Sequence, residues 1–142
     1  MPSRFTATDM LSGLVRVLSD RGYSSFVVKG DRLDAAFEAA YRRLTEVAGK
    51  FNLDVRFQIA RDDFGESQIL RMALNGAAQR DLVSFDNPEF QDMRLDRTKV
   101  SAVRMERIPG GRALFEDLAD VFLDEYEKYV GGAGLPVTAR SC

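Results

Sequence analysis

The sequence predicts a single α+β domain, with helices packed on one face of a mainly antiparallel sheet. Three observations carry this. Residues 33–47 and 114–129 hold apolar stripes at helical spacing, and residues 53–60 alternate apolar with polar. Beyond residue 81 the chain breaks into short β-rich runs separated by turn dipeptides. Helices concentrated early and strands concentrated late argue for α+β rather than a parallel α/β sheet. The expected order is α-β-α-β-α-β-β-β-α.

Thr6 or Thr8 caps the first helix, and Met10, Leu11, Leu14, Val15 and Leu18 form its buried stripe until Arg21-Gly22 ends it. "SSFVVK", residues 24–29, is a short strand with β-branched residues at its centre. Gly30 breaks it and Asp31 caps a second helix, whose stripe is Leu33, Ala36, Phe37, Ala40, Tyr41, Leu44 and Val47. Leu53, Val55, Phe57 and Ile59 then line one face of a strand. Residues 66–78 fit a helix on Ile69, Leu70, Ala73, Leu74 and Ala77, and fit less well a strand in which Leu70, Met72 and Leu74 alternate. "DLVSFD", "FQDMRL" and "KVSAVRMERI", parted by Asn87-Pro88 and Asp96-Arg97, read as an antiparallel meander ending at Pro109-Gly110-Gly111. Leu114, Phe115, Leu118, Val121, Phe122, Tyr126 and Tyr129 mark a closing helix. The domain is expected to span 1–130, and residues 131–142 have the composition of a flexible tail.

At 142 residues the chain has the length of one ordinary domain, able to bury a core without metal or disulfide. Its only cysteine is Cys142, so an internal disulfide and a Cys/His zinc set are excluded. It contains no histidine, which removes Ser-His-Asp and Cys-His catalysis and histidine-ligated metals. No apolar run approaches the roughly 18 residues of a membrane span, and no signal-type stretch follows Met1. The expected setting is cytoplasmic, with no membrane association and no cofactor.

Four places invite a functional reading. Asp62, Asp63 and Glu66 are candidate Mg²⁺ ligands at the end of a strand. Adjacent residues of an extended chain point to opposite faces, however, and Asp63 with Glu66 has capping-box spacing, so a helix start is the preferred reading. Between 94 and 112 six basic residues, among them Arg104, Arg107 and Arg112, face only Asp96 and Glu106. With the backbone N–H groups of Gly110 and Gly111 they form a candidate anion site. A nucleic acid is the less favoured ligand, because the segment lacks interleaved aromatics and the pI is about 5.2. Glu116, Asp120, Asp124 and Glu127 fall on one face of the closing helix, a candidate docking surface for a basic protein partner. The aromatics of that helix, with Met105 and Ile108, exceed what one short sheet is expected to cover, which predicts a homodimer.

No residues are assigned to catalysis. The sequence is therefore read as that of a small non-enzymatic binding or regulatory protein acting through protein–protein contact. The alternatives are a Mg²⁺-dependent enzyme on a phosphate-containing substrate and a nucleic-acid or anion-binding module using residues 94–112.

Overall fold

The computed structural model describes residues 2–27, 32–59, 68–84 and 92–132. In chain order the elements are β1 (Ser3–Phe5), α1 (Ala7–Asp20), β2 (Ser25–Val27), α2 (Arg32–Val47), β3 (Leu53–Val55), α3 (Gln68–Gln79), β4 (Val83–Ser84), β5 (Asp92–Leu95), α4 (Arg97–Ser101), a 3₁₀ turn (Met105–Arg107) and α5 (Gly111–Gly132). The mixed α+β class is as expected. The strands form an antiparallel sheet in the order β2-β5-β4 and a separate parallel pair, β1 with β3.

α1 starts where its sequence allows. The Thr6 hydroxyl accepts from the Asp9 N–H and the Asp9 carboxylate accepts from the Thr6 N–H, each at 3.0 Å, a capping box that satisfies two donors of the first turn. β1, the strand before it, is not anticipated. Three residues are too few to carry a periodic signal, and their order comes from pairing Ser3 with Leu53 and Phe5 with Val55. The shortness of β1 also limits β3, which ends at Val55 although burial continues to alternate as far as Ile59. Residues 68–79 are helical, and Met72 is 70% exposed, which a strand burying Leu70, Met72 and Leu74 together would not allow.

The third strand of the expected meander is absent. Residues 97–101 are α4 and 105–107 the 3₁₀ turn. Two causes account for this. The Asp96 carboxylate accepts from the Lys99 N–H at 3.0 Å and starts a helix. β5 is also the central strand, bonded to β2 on one side and β4 on the other, so it has no edge left to pair with. The Asp31 cap lies outside the described residues. α5 runs through Gly132, and residues 133–142 also lie outside them.

α5 is the axis of the core. It packs most extensively against α2, then α1. Phe122 meets Phe37 of α2 edge-on at 4.9 Å and Phe26 of β2 at 5.4 Å, while the Tyr126 hydroxyl accepts from the Val27 N–H at 2.7 Å. Phe115, Phe122, Tyr126 and Met105 are buried within the chain itself. That much of the aromatic surface expected to serve a homodimer is thus covered within the chain, while Ile108 is only partly buried and the Tyr129 side chain lies outside the described residues. The large apolar side chains that are exposed among the described residues are Ile69 and Met72, on α3.

Candidate functional site

A cleft of about 450 Å³ opens between the start of α1, the end of α3 and the segment joining α4 to the 3₁₀ turn. Its lining includes Arg80, Arg104 and Arg107, with Thr8, Asp9 and Ser12 from α1. The local sequence explains why the arginines meet there. Arg16 of α1 donates to the carbonyls of Ser101 and Val103, which pins the connection after α4 against α1. Buried Val100 and Met105 anchor it from beneath. Arg104, the residue that caps the 3₁₀ turn, and Arg107, its last residue, both line the cleft. Arg80 is turned toward α1 by donating from Nη2 to Ser12 Oγ at 3.2 Å and from Nε to the Gly76 carbonyl at 3.3 Å.

Most of the arginines that pack between helices are matched to carboxylates: Arg16 to Asp20, Arg21 to Glu116 and Asp120, Arg43 to Asp117, Arg71 to Asp34. Arg80, Arg104 and Arg107 are not; among the described residues no carboxylate lies within ion-pair distance of them. Among the described residues the one acid in the cleft wall is Asp9, one of whose oxygens is occupied by the Thr6 N–H. Ala102, Val103 and Ile108 supply an apolar margin. A second depression, about 230 Å³, lies beside the first turn of α1 between Arg4, Arg56 and Phe57, but Arg56 is bonded to Asp54 at 2.9 Å.

The structure divides the predicted anion site. Arg104 and Arg107 share the cleft, and Arg80, which sequence reasoning missed, joins them from a different element. Arg112 turns away to Asp20 at 2.9 Å and Glu116 at 3.6 Å. Gly110 and Gly111 have φ of +89° and +62°, and the Gly111 N–H donates to the Ile108 carbonyl at 3.0 Å. They serve the turn into α5, where any side chain at 110 would collide with Leu114. Asp62, Asp63 and Glu66 lie outside the described residues. Among the described residues no group of three or more acids, cysteines or histidines is placed to hold a metal.

Much of the acidic row is engaged inside the chain. Glu116 and Asp120 both bind Arg21 at 2.8 Å, and Glu127 accepts from the Tyr23 hydroxyl at 3.2 Å; Asp124 is exposed. Sequence reasoning also missed the burial of Asp34 and Glu38, one turn apart on α2, with Arg71 and Arg42 as respective partners.

The bridges between α1 and α5 form an alternating chain: Arg16, Asp20, Arg112, Glu116, Arg21, Asp120. Burial pushes the Asp20 carboxyl up, but hydrogen bonds from Arg16 and Arg112 outweigh it and hold Asp20 below its ordinary value. Burial likewise opposes the charge of Arg21, and its bonds to Glu116 and Asp120 raise it nonetheless. A lowered Asp20 contributes stability that is present above the unfolded value, about pH 3.9, and is lost as pH falls through the lower folded value. The Asp20 side chain is 36% exposed, so the contribution is under about 1 kcal/mol. Urea midpoints measured at pH 5 and below pH 3 are expected to separate the protein from Arg112→Met at the higher pH and to converge at the lower; a constant separation would refute this origin.

Among the described residues no helix is long and apolar enough to cross a membrane. Comparison of the chain with protein-family models, with curated proteins and with solved structures found no match.

Proposed function

We propose that this protein is a non-enzymatic binding module whose ligand is anionic and occupies the cleft between α1, α3 and the 3₁₀ turn. The observation that carries the reading is the set of three guanidinium groups, Arg80 at the end of α3 and Arg104 and Arg107 at the 3₁₀ turn, around about 450 Å³, with no matching carboxylate ion pair among the described residues. The volume is within the range of small-ligand sites, roughly 300–1,000 Å³. Guanidinium forks suit the oxygens of a carboxylate or phosphate, and they remain charged at every working pH. A chain with net charge −2 that concentrates positive charge in one concave place favours anions there against its overall field. Binding rather than chemistry is favoured because the cleft hydroxyls, Thr8 and Ser12, have no imidazole to activate them in a chain without histidine.

The test is a titration with pyrophosphate followed by amide NMR shifts. Saturable shifts are expected at residues 8–12, 80 and 102–108. Hydrogen bonds to charged groups are worth about 1.5–3 kcal/mol, so Arg104→Ala or Arg107→Ala should weaken binding by about tenfold or more. Arg112→Ala should leave the affinity unchanged, because Arg112 is bonded to Asp20 and Glu116. Equal affinity in all three variants would refute the reading.

A further inference from the structure

We infer that the ligand of this cleft is a phosphate monoester, an inference that rests on the anion-binding reading above and narrows it. Three features point to this class. The first is charge. Among the described residues, three guanidinium groups against the single carboxylate of Asp9 leave the cleft with two positive charges in excess. A monoester carries close to two negative charges at neutral pH, whereas a carboxylate or a phosphate diester carries one. The second is the number of acceptors. Arg80 already uses Nε and Nη2, leaving Nη1 for a ligand, while the guanidinium groups of Arg104 and Arg107 make no hydrogen bonds among the described residues. Ser12 Oγ accepts from Arg80, which leaves its proton for donation, and Thr8 offers a second hydroxyl. Three unesterified oxygens satisfy the two forks of Arg104 and Arg107, the remaining Arg80 nitrogen and two hydroxyls; the two oxygens of a carboxylate or diester do not. The third is shape. Phosphate alone leaves most of about 450 Å³ unfilled, and Ala102, Val103 and Ile108 offer apolar surface to an ester group. Among the described residues no aromatic side chain lines the cleft to give the stacking platform that a single-stranded nucleic acid uses.

The absence of histidine makes the class testable by pH. No side chain of this protein has an ordinary pKa between 5 and 8, and a terminal amine titrates only near the top of that window, so a change in affinity centred near pH 6 belongs to the ligand. The charged groups facing the site are Asp9 from α1, Arg80 from the end of α3, and Arg104 and Arg107 from the 3₁₀ turn. Phenyl phosphate, a phosphoserine peptide and dimethyl phosphate are titrated into the full chain by NMR at several pH values. With a second ionisation near pH 6, affinity for both monoesters should rise about tenfold from about pH 5 to about pH 7.5. Dimethyl phosphate should bind weakly with no pH dependence. Asp9→Asn should keep the same slope and bind more tightly at every pH, since it removes the opposing charge and retains an oxygen for the Thr6 N–H. Tighter binding of the peptide than of phenyl phosphate would assign the ester to a phosphorylated side chain, and the reverse to a free metabolite. A flat profile, or dimethyl phosphate binding as well as the monoesters, overturns the inference while leaving an anion site. Shifts that do not depend on Arg104 and Arg107 overturn the anion reading as well.

Discussion

Replacing Gly13 by alanine is expected to destabilise the protein by about 2 kcal/mol or more, although alanine is the better helix former by about 1 kcal/mol. Gly13 lies in the middle of α1, on the side where α5 crosses it. A Cβ built there would fall inside van der Waals distance of three carbons of the Phe115 ring. The ring has no room to retreat. Phe115 is completely buried and stacks on Phe5 at 5.9 Å. Overpacking a filled core costs typically about 1–3 kcal/mol and sometimes more, and here it acts through the α1–α5 contact on which the centre of the fold depends. Gly76 in α3 is the control. Nothing lies within 4 Å of a Cβ at that position, so Gly76→Ala should stabilise by roughly 0.5–1 kcal/mol. The same substitution in two helices should thus have opposite signs in urea titrations, and Phe115→Leu should recover part of the loss in the Gly13 variant. Stabilisation by Gly13→Ala would mean that α1 and α5 do not approach at this glycine.

The helices were legible in the sequence because their signals are local. Thr6 caps α1, and the stripes of α2 and α5, Leu33 to Val47 and Leu114 to Tyr126, are buried apart from Tyr41 and Val121, which are half-buried. The misread elements are those decided by partners far along the chain. β1 exists because β3 is available to pair with it some fifty residues later. Residues 97–108 have strand-like composition, but both edges of β5 are occupied and Asp96 offers a helix start. The same distinction separates the parts of the site. Arg104 and Arg107 are three residues apart in a visibly basic segment. Arg80 reaches them only because α3 ends beside α1, and no spacing in the sequence announces that. The acidic spacing along α5 is local and visible in the sequence. What the sequence did not disclose is Arg21, 95 residues from Glu116, which takes up two of its carboxylates.

Truncating Phe122 to alanine is expected to have the largest effect of any single substitution considered, a loss of about 3–5 kcal/mol. For a domain whose total stability is typically about 5–15 kcal/mol, that is a large share. Phe122 has no exposed surface, and its neighbours come from three elements: Phe26 of β2 at 5.4 Å, Phe37 of α2 at 4.9 Å and Tyr126 one turn along α5 at 6.2 Å. The first two meet it edge-to-face, the arrangement in which the positive ring edge approaches the negative face, worth about 0.5–1.5 kcal/mol per pair beyond burial. None of these neighbours can fill the space by a rotamer change alone. Tyr126 is tied through its hydroxyl to the Val27 N–H, and Phe26 stacks on Tyr23 at 5.6 Å. The cavity should therefore persist rather than collapse, which places the cost in the upper part of the range. Phe37→Ala should be nearly as costly, and the double variant should lose less than the sum of the two, by about the edge-to-face energy, because each single change already removes their contact. Urea titrations of the three variants decide the matter. A loss below about 1 kcal/mol for Phe122→Ala, or strict additivity with Phe37→Ala, would mean that α2 and α5 are not joined through these rings.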